Sequence, residues 1–338
     1  MTEIIERPKP SIALARDTAK RFFRHENAVL ALVLVALIGG MGVITKGLTI
    51  SRANMMNVLL QSSIKGVAAL GQAFVIISAG IDISIGGIGL VCSILGATLM
   101  TQTPHLNIVG HPVSIYIAIP LMLLTGIGWG VINGASVSRI AMPPLIVTLA
   151  MWEITKGVAF QISGGQSFGR LPENLAFLGS GTIVGIPVPV IIFIAVAVTT
   201  YFVLNHTALG RSVYATGGNP VSAWLSGINV KNIQFIVYLI SGFLAGVAGV
   251  IVTARVMSAS MRTLTGLEID SIAAVSVGGV SLAGGKGSII GVVLGILIIS
   301  VVDNGLSILG ASPAIQGIVK GVIIFTAIAI DCIRRRRG

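Results

Sequence analysis

Ten apolar runs divide the chain, at 28–44, 54–79, 86–102, 115–137, 141–163, 188–204, 232–254, 268–282, 287–309 and 313–331. Crossing the hydrocarbon of a bilayer as a helix takes about 20 residues, with a range near 17–25. Most of the runs meet that length. The run at 268–282 is short, which predicts a tilted, broken or protein-buried segment. Two glycine-rich breaks interrupt hydrophobic pairs, Gly80-Ile-Asp-Ile-Ser-Ile-Gly-Gly87 and Val277-Gly-Gly-Val-Ser-Leu-Ala-Gly-Gly-Lys-Gly287. Irregular backbone at membrane depth is tolerated only against protein or a wet cavity, and paired breaks often mark such places in transporters. A shift of about 203 residues lays the first break on the second without convincing identity, so internal duplication rests on position alone. The pattern predicts an all-α polytopic membrane protein of about ten transmembrane helices, some broken by glycine-rich segments.

The polar remainder gives three domains: a basic segment at 1–27, a transmembrane domain at 28–331, and a basic tail at 332–338. Residues 12–25 can form a short surface helix. Within the transmembrane domain, the loop at 205–231 is one of the few polar stretches. It carries the marks of a capped helix, with Asn219 at the N-cap, Pro220 at the first helical position and Gly227 just past the end. An ordered helix held between two spans is there to be contacted. A solvated loop is the alternative.

Composition confirms the membrane reading. The chain is 54% hydrophobic and 10% charged, with a mean hydropathy of +0.98, where a soluble domain carries about 25% charge. Forty-three glycines suit closely packed transmembrane helices. The net charge of +11 does not point to nucleic acid, because the cations cluster in loops and at the ends. With ten spans and an inside N-terminus, 14 of the 19 loop and terminal lysines and arginines fall on the inner side, so both termini and 205–231 are expected in the cytoplasm. No cleavable signal peptide is expected, because a charged segment precedes the first run without a small-residue cleavage site after it. Cys92 and Cys332 are too few for a disulfide framework and are expected at different depths.

Little in the chain reads as catalytic. Ile162-Ser-Gly-Gly-Gln166 and Gly285-Lys286 resemble nucleotide motifs by chance: Val280 and Gly287 stand where a phosphate-binding loop needs Gly and Ser or Thr. His25, His105, His111 and His206 lack metal-type spacing, so no metal site is expected. The acids in or beside apolar runs are more telling: Asp82, Glu153, Asp270 and Asp303. An ionisable group there costs about 2.5–3.5 kcal/mol on insertion scales, so it pairs or lines a wet cavity. Asp82, inside the first break, either serves the transport path or caps loose amides and holds the break together. Lys65, Lys156 and Lys320 are its candidate partners, or else they snorkel or sit deep between helices.

Three stretches carry a family resemblance, running from about residue 50 to residue 331. They are Gly80-Ile-Asp-Ile-Ser-Ile-Gly86; Gly210-Arg-Ser-Val-Tyr-Ala-Thr-Gly-Gly-Asn219 with Leu225-Ser-Gly-Ile-Asn-Val230; and Glu268-Ile-Asp-Ser-Ile-Ala-Ala-Val-Ser-Val-Gly-Gly-Val-Ser-Leu-Ala-Gly-Gly-Lys-Gly287 with Asn304-Gly-Leu306. The chain resembles the permease subunit of bacterial ribose-type sugar ABC importers, a group that includes permeases for other pentoses, galactosides and autoinducer-2. Asp303 and Gly87 depart from the residues common in such permeases, Asn and Ser.

The resemblance implies a bacterial inner-membrane protein in which two permease copies form the path for a small sugar. A periplasmic binding protein would deliver the sugar, and a cytoplasmic ATPase subunit would drive transport. The permease itself is then no enzyme and binds no cofactor; ATP and Mg belong to the ATPase subunit. Gly217, Gly218, Asn219, Pro220, Ala223, Trp224, Leu225 and Gly227 become the candidate coupling element, with the two glycines turning the chain into the cap. Asp82, Ser84, Gln72, Asp303 and Asn304 become the candidate path or gate. The rival function is an ion-coupled secondary transporter of a small polar solute, which explains spans, breaks and buried acids but not a capped inside helix. A channel would show a repeated filter or a charged ring.

Overall fold

A computed structural model describes residues 26–337. The short helix expected at 12–25 lies outside the described residues. The helices are α1 (Glu26–Ile44), α2 (Arg52–Ile77), α3 (Ile85–Met100), α4 (Ile115–Ser138), α5 (Pro144–Ser163), α6 (Ala176–Ser180), α7 (Val188–His206), α8 (Ala208–Gly218), α9 (Pro220–Leu225), α10 (Val230–Val256), α11 (Leu267–Val277), α12 (Ile289–Ile308) and α13 (Pro313–Arg337). A two-residue hairpin, β1 (Thr182–Ile183) and β2 (Ile186–Pro187), precedes α7.

Each of the ten apolar runs becomes a helix, but two are too short to cross by helix alone, without the broken segment beside them. Eight helices have the length and hydropathy of a span. At 1.5 Å per residue, α3 reaches about 24 Å and α11 about 16 Å, against about 30 Å of hydrocarbon. Their shortness follows from the breaks. Ser78–Ser84 separates α2 from α3, and Gly278–Ser288 separates α11 from α12. The basic tail is not a separate piece, since α13 continues through Arg337.

The core is a set of close backbone contacts. On α4, Gly126, Gly130 and Gly134 lie four apart and face α10. A methyl group at Gly130 would stand 2.7 Å from the carbonyl oxygen of Tyr238, and one at Gly134 would stand 2.8 Å from that of Phe235. Gly242 of α10 returns the contact against Gly126 and Gly130. Lipid gives helices no hydrophobic reason to associate, so small residues that bring backbones together supply the packing. α3 sits at the centre, with every residue but Leu95 buried. α1 and α13 lie at the periphery.

The two breaks touch each other. The backbone N–H of Gly285 donates to the carbonyl of Ile77 at 2.8 Å. Gly284 sits so close to Ala79 that an added methyl would come within 2.7 Å of the Ala79 side chain. Ala79 has φ +66° and Gly284 φ +84°, so both chains turn through the left-handed region where they meet.

Candidate functional site

On the face that the cation distribution assigns to the cytoplasm, α8 and α9 form a helical pair. The cap expected at Asn219 is present: its backbone is extended, and its side-chain oxygen accepts from the N–H groups of Val221 and Ser222, both at 3.0 Å. Pro220 opens α9, and Gly227 ends it at φ +84° with its N–H on the Trp224 carbonyl at 2.9 Å. Six residues of helix thus have both ends tied. Ala223 faces inward, while Val221, Trp224 and Leu225 are 65%, 67% and 73% exposed. Beside α9, a cleft of ≈ 630 Å³ runs to the end of α4, lined by Val137, Ser138, Ala141, Val221, Trp224 and Ile228, among others.

The glycines before the cap work differently from the expectation. Gly217 and Gly218 are the last residues of α8, and neither has a positive φ. The chain turns at Asn219 instead. Gly217 serves close approach: its Cα lies against the Ile77 carbonyl and 2.7 Å would separate an added methyl from the Gly285 nitrogen. Gly218 is looser, with the Gly285 Cα 4.0 Å from where its methyl would be. The end of α8 therefore rests on both breaks at once.

The helix α8 itself was missed in the polar loop. Its signals are Thr207, whose side chain caps the Gly210 N–H, and a buried stripe at Gly210, Val213, Thr216 and Gly217. Tyr214 on α8 donates its hydroxyl to the Gly287 carbonyl at 3.0 Å, a further tie to the second break. Burial pushes the Tyr214 phenol above its usual value.

The residues proposed for the path fall into two groups. Asp82 is fully buried. One carboxylate oxygen accepts from the Ser84 N–H at 3.0 Å and the Ser84 hydroxyl at 2.6 Å, and the other accepts from the Ser241 hydroxyl at 2.7 Å. Asn133 donates to the Ser84 hydroxyl at 2.7 Å. With its amide turned to match, Gln72 pairs with the backbone O and N of Asp82 at 3.0 and 3.2 Å. Thr148 donates to the neighbouring Ile81 carbonyl at 3.1 Å. Gln72, Asp82 and Ser84 are thus one network that stitches the first break to α2, α4, α5 and α10. Among the described residues no lysine takes part, which leaves the other reading of Lys65, Lys156 and Lys320, that they snorkel or lie deep between helices.

The lysines serve elsewhere. Lys65 of α2 and Lys320 of α13 alternate with Asp270 of α11 and Asp303 of α12. Lys65–Asp270 spans 2.8 Å, Lys320–Asp270 2.7 Å and Lys320–Asp303 3.1 Å, and Lys65 also pairs with Asp303. Two positive and two negative charges share one site between four helices. This agrees with lysines set deep between helices. Asn304 and Asn54 exchange amide hydrogen bonds at 2.9 and 2.8 Å, joining α12 to α2. Glu153 is not buried as expected: its side chain is 64% exposed.

Residues 54–328 match the family described as "Branched-chain amino acid transport system / permease component". The ribose import permease protein RbsC of Haemophilus influenzae is 35% identical over 288 residues, 84% of this chain and 85% of that protein. RbsC of Escherichia coli (strain K12) is 37% identical over 294 residues, 86% of this chain and 88% of that protein. The D-allose transport system permease protein AlsC of the same strain is 35% identical over 306 residues, 90% of this chain and 88% of that protein. No solved structure is significantly similar to the chain.

Proposed function

The chain belongs to the branched-chain amino acid transport system permease family, as a multi-pass inner-membrane ABC permease of the ribose type, and from that premise we propose that two copies of it form the path for a small sugar. A periplasmic binding protein delivers the sugar. A separate ATPase subunit, holding ATP and Mg, docks on α9 from the cytoplasm. The relatives named above are ribose and D-allose permeases, which supports a sugar over an amino acid.

The observation that carries this reading is the seat of Gly217 on Ile77 and Gly285. Trp224 and Leu225 stand out from a doubly capped helix on a polar face, where exposed large apolar groups mark a contact surface. Force applied there passes through α8 to the two places where the membrane helices are broken. Packed backbone without side chains between leaves no slack to absorb it. Each break carries the end of one helix and the start of the next, so tilting the α8–α9 pair re-aims α3 and α12 together. The chain's own part is mechanical, and ATP hydrolysis belongs to the partner.

The ion-coupled alternative needs a carboxylate that gives up its partners to a proton or sodium ion. Asp82 is held by hydroxyl and amide donors, and Asp270 and Asp303 by lysines. The deciding experiment is uptake in proteoliposomes holding the permease, its ATPase and the loaded binding protein. Uptake that needs internal ATP and survives an uncoupler supports the ABC reading; uptake that follows an ion gradient without ATP overturns it.

A further inference from the structure

Glu153 and Lys156 lie in the middle of α5, a 20-residue span. Their side chains are 64% and 38% exposed in the isolated chain, and they pair at 3.5 Å. Charges turned outward at that depth are costly in hydrocarbon and are found facing a bundle interior or a water-filled cavity. Lysine escapes that cost by snorkelling to the nearer surface. Lys156 does not: its Nζ lies 3.7 Å from the ring centre of Trp152, a full turn back toward the middle of the helix. The charged turn is therefore built to stay at mid-depth.

What lies beside it is polar as well. The Thr155 side chain and the backbone carbonyl of Trp152 press on Gly87, at the start of α3 just after the first break. Glu268, in the first turn of α11, presses on the adjacent Gly86. The inner side of this turn thus backs onto the start of α3, where Glu268 of α11 also packs, and Glu153 and Lys156 are left on its outer side. Among the described residues, the Glu153–Lys156 pair shares no hydrogen bond or ion pair with the Asp82 network or with the Lys65–Asp270–Lys320–Asp303 site.

We propose that the turn Trp152–Lys156 of α5 is a wall of the water-filled route and a contact site for the transported solute. The inference rests on the transporter reading above and deepens it. The chemistry fits a neutral polyhydroxylated solute. Glu153 accepts from hydroxyls, Lys156 donates to them, and Trp152 offers its ring to the C–H face of a sugar once Lys156 swings off it.

The test uses thiol labelling of the full permease in its complex, in a Cys332→Ser background, since Cys92 is buried. Single cysteines are placed at Glu153 and, one turn on, at Gly157. Leu124→Cys on α4 and Val198→Cys on α7, exposed apolar positions of other spans, serve as lipid-facing controls. The probe is a charged, impermeant methanethiosulfonate, with ribose and its loaded binding protein as the protecting solute. Labelling at 153 or 157 at least tenfold faster than at both controls, slowed severalfold by the loaded binding protein with ATP, is expected. Labelling at both positions as slow as the controls overturns a wet wall, and fast labelling indifferent to the solute overturns the contact site. ATP-dependent uptake by the Cys332→Ser parent is measured alongside, so failure of the transporter reading shows separately.

Discussion

Gly285 donates its backbone N–H to the Ile77 carbonyl at 2.8 Å, and Gly217 packs against both residues. Residues 208 positions apart are thereby fixed to each other and to the end of α8. Side chains cannot intervene at this junction, so its geometry is set by backbone alone.

The first prediction contrasts the two neighbouring glycines. A methyl group at Gly217 would overlap the Ile77 carbonyl, whereas one at Gly218 meets only the Gly285 Cα at 4.0 Å. Gly217→Ala should lower ATP-driven uptake at least tenfold, which is about 1.4 kcal/mol on the coupled step. Gly218→Ala should stay within about twofold, because alanine is favoured in a helix. Uptake is compared at equal amounts of membrane-inserted permease. Equal loss in both variants would show that close approach at Gly217 is not what transmits the motion.

Trp224 tests the docking surface. A buried aromatic anchor typically costs at least about 2 kcal/mol when truncated. Trp224→Ala should therefore weaken binding of the ATPase subunit about thirtyfold. It leaves the cap intact, because Asn219 bonds Val221 and Ser222, not Trp224. The binding protein should hold its sugar as before. The measurement is a titration of ATPase subunit against permease in nanodiscs; unchanged affinity would remove α9 from the interface.

What could be read in the chain was local. The apolar runs, the two breaks and the Asn219–Pro220–Gly227 cap each announce themselves within a few residues, and each has its counterpart in the structure. What could not be read was distant pairing. Lys65 meets Asp303 across 238 positions, and Asn54 meets Asn304 across 250. Neither follows from hydropathy, which marks a lysine in a span as costly without saying where its counter-charge sits. Gly217 shows the same limit: a glycine before a cap suggests a turn, but here the reason is a carbonyl 140 positions earlier. The helix α8 was hidden because its buried stripe is short and holds one apolar side chain, Val213, beside Thr216 and two glycines.

Asp82 separates charge from hydrogen bonding. Asp82→Ala strips acceptors from the Ser84 N–H, the Ser84 hydroxyl and the Ser241 hydroxyl, all buried. A buried donor left without a partner costs about 1–3 kcal/mol. Asp82→Asn keeps an oxygen toward Ser84 and can donate to Ser241. The alanine variant should lose more than tenfold in uptake and several degrees in thermal midpoint in detergent, with the asparagine variant between it and the native protein. If asparagine is as damaging as alanine, the negative charge, not the stitching of the break, is what Asp82 supplies.

The Lys65–Asp270–Lys320–Asp303 site predicts that balance matters more than any single charge. Removing one partner of a buried pair costs about 3–5 kcal/mol, because the other charge stays behind uncompensated, whereas removing both can be nearly neutral. Lys65→Met leaves two aspartates with one lysine between four helices, one of which, α11, is only 11 residues long. That variant should be inserted poorly or unfold at lower temperature. Adding Asp303→Asn to it restores neutrality, with Lys320 still bridging Asp270 at 2.7 Å. The double variant should recover most of the stability that the single one loses. Thermal unfolding in matched detergent, followed by loss of monodisperse protein, gives both values. A double variant no better than Lys65→Met would show that the specific four-way contact, and not its zero net charge, holds α11 in place.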